Sequence, residues 1–265
     1  MERSVKSKTR LSSVANACRV LRAFTAEEYE LGISELAKRL TLAKSTVHRL
    51  ALTLIHAGLL EQNPDNGKYR LGLTVFELGS LVRRQMDIAN QAKPFLKMLM
   101  EKIGETVHLA ILDQHSVVYI NKIESRQAVR MSSNVGSRNP LYCTGIGKAL
   151  LAFQPAEKIE EIIAAGLTAR TPKTLVDPEA LRRELAAIRA RGYAIDDEEI
   201  EIGLRCLGVP IRDYTGAVIA SLSVAGPAQR MTMKALHLFA PDVIQTGRAI
   251  SQRLGHVNPQ SAMNA

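Results

Sequence analysis

The stretch ISELAKRLTLAKSTVHRL, residues 33–50, predicts two short helices joined by a tight turn. Apolar residues recur at helical spacing in both helices, so each helix has one face to bury against the other. These residues are Ile33, Leu36, Ala37 and Leu40 in the first helix, and Val47, Leu50, Ala51 and Leu54 in the second. The pairing leaves the polar side of the second helix free to meet a partner.

That polar side is rich in hydrogen-bond donors and acceptors, whereas an ordinary solvated helix carries pairs of Glu and Lys. We predict that it contacts the base edges and phosphates of DNA through Lys44, Ser45, Thr46, His48 and Arg49. Helix-turn-helix pairs are also a common packing unit in proteins that bind no nucleic acid. The pattern of these helices alone leaves both interpretations open.

The segment after the second helix favours DNA binding. AGLLEQNPDNGKYRLG, residues 57–72, has strong turn residues between two extended runs and predicts a β-hairpin, or wing. Lys68 and Arg70 follow the turn on alternate residues, where they are expected to meet the DNA backbone. The sequence therefore predicts an N-terminal winged helix-turn-helix domain.

The charge distribution agrees with this interpretation. The 265-residue chain has a formal net charge of +9, and residues 1–85 hold 14 Lys and Arg against 8 Asp and Glu. Half of that N-terminal excess lies in residues 1–10, which we expect to form a flexible basic arm. The arm either follows the DNA backbone or only aids solubility, and the sequence leaves both roles open.

Composition indicates a soluble, cytoplasmic protein with no membrane partner. No apolar run approaches the roughly 20 residues that span a bilayer, and the N-terminus is too polar for a signal peptide. Cys18, Cys143 and Cys206 are odd in number and far apart, without metal-ligand spacing. We therefore expect reduced thiols, no metal and no cofactor.

The absence of Trp and the few Phe and Tyr residues argue against an aromatic platform for RNA.

The rest of the chain predicts a larger α+β domain with helices packed on an antiparallel sheet. Hairpins are expected near residues 107–120 and 206–224, with helices between them and a last helix near residues 236–254. An opening helix should bury Val14, Ala17, Cys18 and Leu21, and a helix should begin near Pro94. The expected organisation is an arm over 1–10, a winged helix-turn-helix domain over 11–72, a linker helix over 73–90, a second domain over 91–255 and a disordered tail over 256–265.

Two segments of the second domain invite a chemical interpretation. In Thr144-Gly145-Ile146-Gly147-Lys148, glycines before a helix allow close backbone approach, and free N–H groups favour an anion such as a carboxylate. The alternative is that the glycines only make a tight turn. The segment lacks the spacing of a phosphate-binding P-loop.

The second segment is the acidic run at residues 196–199, which we expect to satisfy the N-terminus of a following helix rather than to bind metal. Cys206 lacks a supporting His and Asp, so covalent catalysis is not expected.

The order of winged helix, linker helix and α+β domain resembles the IclR family of bacterial transcriptional regulators. The most specific motif is EIGLRCLGVPIRD, residues 201–213, and LAKSTVHRL, NPDNGKYRLG, TGIGKALLA and RGYAIDDEE are similar to other blocks of the family. The resemblance covers all but the two termini. It implies a ligand-responsive regulator of a double-stranded DNA operator that assembles as dimers, often paired into tetramers. A twofold dimer should recognise a near-palindrome.

The resemblance also implies a GAF/profilin-like C-terminal domain that binds a small-molecule catabolic effector. The matching residues here are Gly145, Ile146, Asp196, Cys206 and Ser223, with Met131 and Leu141 at apolar wall positions. Ala225 replaces a serine of some family members, which favours a compound that is less polar than a small keto acid or differently shaped.

Two alternatives remain: an enzyme with a DNA-binding appendage, and a constitutive architectural protein whose second domain only oligomerises. The sequence leaves repression and activation equally open.

Overall fold

The computed structural model describes residues 12–25, 27–85, 87–129 and 133–257. The predicted basic arm, Met131 and the tail beyond residue 257 lie outside these ranges. The chain divides into two compact units, Met1–Met86 and Asp87–Ala265. Within the described ranges, no helix combines the length and the apolar character needed to cross a membrane.

The first unit contains helices and a short two-stranded hairpin. Its elements are α1 (Ser12–Leu21), α2 (Ile33–Leu40), α3 (Lys44–His56), β1 (Leu60–Gln62), β2 (Tyr69–Leu71) and α4 (Leu73–Gln85). Leu36 on α2 and Val47 and Leu54 on α3 are buried in one cluster, as the helical spacing predicts. The winged helix-turn-helix fold of this unit is confirmed.

The predicted inward face of α1 is right for Ala17 and Leu21, which pack against the buried cluster, and wrong for Val14 and Cys18. The side chain of Val14 is 56% exposed and Cys18 is exposed, whereas Val20 is fully buried. Two overlapping stripes satisfy helical spacing on this segment. One stripe contains Val20 and continues to Phe24 just beyond the helix, and both side chains pack in the cluster with α2 and α3. These two side chains bury more apolar surface there than Val14 and Cys18 would.

The wing is held by a residue that precedes α2. The carboxylate of Glu30 accepts hydrogen bonds from the side-chain amides of Asn63 (3.0 Å) and Asn66 (2.9 Å) in the turn. Backbone hydrogen bonds of 2.9 Å in both directions also join Leu31 to Tyr69. The loop before α2 therefore fixes the position of the turn.

The second unit is built on one sheet with helices on both faces. Its elements are α5 (Asp87–Ile103), β3 (Thr106–Asp113), β4 (Ser116–Ile123), β5 (Arg138–Pro140), α6 (Gly145–Leu151), α7 (Ala156–Ala164), α8 (Pro178–Arg191), β6 (Ala194–Asp197), β7 (Leu204–Arg212), β8 (Val218–Pro227) and α9 (Met233–Arg253). The described strands form a six-stranded sheet in the order β5-β4-β3-β8-β7-β6, and every neighbouring pair is antiparallel. The predicted α+β class is confirmed.

Adjacent residues of β7 show which helices cover which face. A Cβ placed on Gly208 would lie 2.4 Å from the Gly145 carbonyl oxygen, so this face of β7 packs on α6. A Cβ placed on Gly247 of α9 would lie 2.8 Å from Cγ2 of Val209. Because successive strand residues point to opposite faces, α6 and α9 cover opposite sides of the sheet.

The helix predicted to begin near Pro94 already begins at Asp87, so that expectation is wrong. An interior proline removes one helical hydrogen bond and costs about 3 kcal/mol. Ala92 lies before the proline and Leu96 after it, and both are fully buried. Burying this continuous apolar stripe offsets the cost of the proline.

The expected helix start after the acidic run is also wrong. Asp196 and Asp197 are the last residues of β6, an edge strand that pairs with β7. Strand β6 is only four residues long, and the polar residues at its end mask the alternation that predicts a strand.

Candidate DNA-binding and effector-binding sites

The predicted DNA-contacting residues of α3 share an exposed side of the helix. Lys44, Ser45, Thr46, His48 and Arg49 are all exposed. Their side chains make no hydrogen bond or ion pair with any residue that the structure describes. The N-cap residue Ala43 offers no side-chain hydrogen bond, so N–H groups of the first turn remain available for a phosphate oxygen. The helix thus presents donors without internal partners.

The two predicted wing residues differ in their surroundings. Lys68 is half-buried, and its side chain has no partner among the described residues. Arg70 is exposed and pairs with Glu61 across the hairpin, with 3.1 Å between Nη2 and Oε2, and its Nη1 lies 3.7 Å from Glu30. Exposed ion pairs contribute little to stability, so a DNA phosphate can compete with them. Arg70 must nevertheless leave Glu61 to meet DNA.

In the second unit, the sheet register brings the predicted effector-site residues together. Asp196 pairs with Cys206 and Cys206 with Ala225, while Ser223 pairs with Gly208. Paired residues of antiparallel strands point to the same face, so Asp196, Cys206 and Ser223 share the face that α6 covers. Asp196 and Ser223 are each 1% exposed and Cys206 is 6% exposed, so this polar set is buried.

The start of α6 meets Cys206 at this place. The Cys206 thiol lies close to the Ser223 hydroxyl and to the backbone N–H groups of Gly145 and Ile146, which lower its pKa and partly oppose the effect of burial. Thr144 caps the helix by accepting from the Gly147 N–H at 3.0 Å. Burial raises the pKa of Cys206 to about 12, so the thiol is protonated at neutral pH and is a poor nucleophile.

The glycines at the start of α6 are explained by packing. A Cβ on Gly145 would lie 2.9 Å from the Cys206 sulfur, and a Cβ on Gly208 would meet the Gly145 carbonyl oxygen. Gly145 and Gly147 have no positive φ, so a left-handed turn is not the reason for them. Close contact between α6 and β7 requires glycine here even without a ligand.

Asp196 is the most perturbed carboxyl group of the site. Its Oδ1 accepts from the Glu199 N–H at 2.7 Å, whereas its Oδ2 is buried with no hydrogen-bond partner in the described part of the chain. Burial, followed by the charge of Glu199, raises the pKa of Asp196 to about 7. Asp196 can therefore accept a hydrogen bond when ionised or donate one to a carboxylate when protonated.

A buried ion pair lies beside Asp196. The ammonium group of Lys148 on α6 donates to Oε1 of Glu199, and Lys148 is only 1% exposed. Burial raises the pKa of Glu199, although Lys148 opposes that effect. The sequence offers one hint of this pair, because Lys148 is the only charged residue in an otherwise apolar helical segment, residues 145–152. Its partner lies 51 residues away along the chain and could not be identified.

The same sheet face holds a histidine that sequence reasoning missed. His108 pairs with Ser223 across β3 and β8, and its Nε2 lies 2.7 Å from the hydroxyl oxygen of Ser133. Burial, helped by the charge of Lys122, lowers the pKa of His108 to about 3, so the imidazole is neutral. Its ring packs against Tyr119 with 5.0 Å between ring centroids. The signal was a single polar residue inside the apolar run VHLAIL, residues 107–112.

The two predicted apolar wall positions have different outcomes. Leu141 is fully buried and belongs to the cluster that contains Ile146 and Tyr119. Leu141 therefore lies near the site, and its contact with an effector stays a prediction. Met131 lies outside the described residues.

A winged helix-turn-helix unit, followed by an α+β unit with a buried polar site, defines a DNA-binding regulator with a ligand-binding domain. Two family models match this chain. The IclR helix-turn-helix domain matches residues 13–64, and the bacterial transcriptional regulator IclR C-terminal domain matches residues 81–252. The chain belongs to the IclR family of bacterial transcriptional regulators.

Its relatives agree with this assignment. The chain is 40% identical to the HTH-type transcriptional regulator XynR of Escherichia coli K12 over 247 residues, which cover 93% of this chain and 98% of XynR. It is 39% identical to KdgR of the same organism, covering 93% and 94% of the two chains. A crystal structure of an IclR homologue from Microbacterium hydrocarbonoxydans, complexed with 4-hydroxybenzoate, superposes with a TM-score of 0.80 at 31% identity, covering 91% and 98% of the chains. The protein is a transcriptional regulator with a DNA-binding and an effector domain, and it is not an enzyme.

Proposed function

We propose that this regulator binds a near-palindromic operator as a twofold dimer, with α3 in the major groove and the wing on the backbone. The observation that carries this proposal is the row of exposed donors on α3 without internal partners. Arg49 is the first choice for a base contact because a guanidinium can donate two hydrogen bonds to guanine. Lys68 and Arg70 are assigned to phosphates.

The exposed apolar side chains of α4 support self-association. Leu73, Phe76, Leu78 and Leu81 are between 52% and 68% exposed. Four large apolar side chains on one helix favour burial against a second copy. We propose that this helix contributes to the dimer, and that dimers can pair into tetramers in the cytoplasm.

The DNA proposal is tested by fluorescence anisotropy on a fragment of the protein's own promoter and on a scrambled duplex, at several salt concentrations. Arg49→Ala is expected to cost about 1–3 kcal/mol of binding free energy on the operator and less on scrambled DNA. Arg183→Ala is the matched control because Arg183 is an exposed arginine of α8 in the other unit. Equal losses on both duplexes would remove the base-reading role of Arg49.

We further propose that the effector is a small compound with a carboxylate, held between the start of α6 and the Asp196, Cys206 and Ser223 side chains. The open Oδ2 of Asp196 supports a ligand with a hydrogen-bonding group at that position. The 4-hydroxybenzoate complex of a homologue supports a carboxylate-containing class. Ala225 favours an effector with fewer hydroxyl contacts than a small keto acid makes.

A thermal-shift screen of small carboxylates, sugar acids and aromatic acids tests this site, because a ligand that binds only the native state raises the melting temperature. Ser223→Ala is expected to reduce the shift given by a hit. Ser221→Ala is the matched control, since Ser221 lies two residues away on β8 and donates its hydroxyl to the Val209 carbonyl. Equal loss of the shift in both variants would argue against direct contact by Ser223.

We propose that the effector changes operator affinity by shifting the population of dimer arrangements, a coupling typically worth about 1–3 kcal/mol. The anisotropy assay is repeated with the screened ligand present. A ligand that binds but leaves operator affinity and transcription unchanged would contradict switching. If no metabolite shifts the melting temperature or the affinity, the constitutive architectural alternative is favoured.

A further inference from the structure

A second polar cavity lies in the same unit, away from the proposed effector site. It has a volume of about 280 Å³ and is bordered by Phe153, the end of α8, the second half of β7 and the C-terminal part of α9. None of its lining residues belongs to the set around Asp196 and Cys206. Its chemistry therefore has to be explained separately.

The cavity is strongly basic. Arg189, Arg212 and Arg248 line it together with His256, and none of the lining residues is Asp or Glu. The chain holds 26 Asp and Glu residues, and half of the described arginines of this unit pair with a carboxylate. Three guanidinium groups around one cavity without a carboxylate leave an excess of positive charge.

Two of the arginines are held in place by neutral groups. Nη1 of Arg212 donates to the Gly216 carbonyl at 2.8 Å, and its guanidinium lies 4.6 Å from the ring centroid of Phe153. Nη1 of Arg189 donates to the Ala152 carbonyl at 2.8 Å. Each guanidinium has five N–H donors, so most donors of both groups remain for a ligand.

The remaining groups add to the donor set. Arg248 is exposed and makes no hydrogen bond or ion pair within the described ranges. Gln252 lines the same wall of α9, one helical turn beyond Arg248. Burial lowers the pKa of Arg212, and no acidic side chain offsets that effect. An anion bound here would supply the missing countercharge.

Size and charge together restrict the ligand. A volume of 280 Å³ exceeds what a single inorganic anion fills and lies just below the range of about 300–1,000 Å³ for small-molecule sites, so a small organic ligand is expected. Arginine forks bind carboxylates and phosphates in the same bidentate manner. We propose that this basic cavity binds a small organic anion with at least two negative charges, either a polycarboxylate or a phosphate ester. This site is additional to the effector site and does not depend on it.

The test uses isothermal titration calorimetry on the full chain at constant ionic strength. Citrate is the polycarboxylate probe, glycerol 3-phosphate is the phosphate-ester probe, and acetate is the singly charged control. Saturable binding of either dianionic or trianionic probe, with much weaker binding of acetate, is expected, and the preferred probe identifies the ligand class. If neither probe binds at millimolar concentration, or if acetate binds equally well, the proposal is overturned.

Variants locate the binding in the cavity. Arg248→Gln is expected to weaken binding of the preferred probe about tenfold or more, because a charged donor is lost. Arg183→Gln, on α8 but outside the cavity, should leave binding unchanged. Arg248 is exposed, so its substitution should not prevent folding, and Arg212→Gln, at a half-buried arginine of the same cavity, provides a second variant. Ser223→Ala should retain probe binding, and loss of binding in Ser223→Ala with no loss in Arg248→Gln would place the anion in the effector site instead.

Discussion

Replacing Asp196 with Asn should remove a pH-dependent loss of stability. The ordinary pKa of an Asp carboxyl is 3.8, and burial raises that of Asp196 to about 7. Between these values the native state holds a proton that the unfolded state has released, so the free energy of unfolding falls as pH rises through this window. Each pH unit costs about 1.4 kcal/mol, and Asn cannot ionise. The stability of Asp196→Asn relative to wild type should therefore increase by about 3 kcal/mol between about pH 5 and about pH 8.

Urea unfolding at several pH values measures this difference, and Asp197→Asn provides the matched control. Burial alone would raise the pKa of Asp197, but Arg205 at 2.6 Å and Lys173 at 3.2 Å lower it on balance. The ionised form of Asp197 therefore stabilises the native state above its unfolded pKa, and this contribution is lost as pH falls. Asp197→Asn should be destabilising near neutral pH, by less than about 1 kcal/mol because the group is partly exposed.

Between about pH 5 and about pH 8 the stability of Asp196→Asn relative to wild type should thus rise, whereas the difference for Asp197→Asn should stay constant, because Asp197 titrates below this range in both the native and the unfolded state. A flat difference between Asp196→Asn and wild type across this range would refute the reasoning, because it would mean that the native state does not raise the pKa of Asp196.

Three further substitutions test the packing, the helix cap and the wing. Gly208→Ala should lower the melting temperature strongly, because its Cβ would lie 2.4 Å from a carbonyl oxygen of α6. The control Gly79→Ala adds a Cβ with no atom within 4 Å and should raise the free energy of unfolding by about 0.5–1 kcal/mol. Similar effects of the two substitutions would contradict the packing argument. Thr144→Val should cost about 1–2 kcal/mol of unfolding free energy through loss of the cap of α6, and an unchanged denaturation midpoint would argue against it. Glu61→Gln should remove the nearer of the two carboxylates that pair with Arg70 and so increase both DNA affinity and its salt dependence. An unchanged salt slope would argue against a phosphate contact by Arg70.

The DNA-binding unit was largely predictable because its signals are local. The helical spacing of Leu36 and Val47, and the turn residues at positions 64–67, each determine structure within a few residues of themselves. The same holds for the two long hairpins of the second unit, whose strands are adjacent along the chain. Where two local patterns overlap, as on α1, the choice depends on tertiary packing, and the prediction failed for Val14 and Cys18.

The effector site was predictable in part, and the family resemblance supplied most of it. Asp196, Cys206 and Ser223 do share one face, but their surroundings come from residues far apart in the chain. His108 meets Ser133 across 25 residues, and Lys148 meets Glu199 across 51. No spacing rule connects such residues, since the sheet order that joins them is set by the whole domain. The electrostatic character of the site therefore requires the structure.

Helix α6 has a mechanical consequence. All seven of its residues are buried, and at a rise of about 1.5 Å per residue it spans only about 10 Å. Because α6 is short, fully buried and packed closely on β7 through Gly145 and Gly208, we expect it to move as one rigid unit, so a displacement of one end should also displace the other. One end meets Cys206, and the carbonyl just beyond the other end receives Arg189. A compound that displaces either end of α6 should consequently change the structure at both ends.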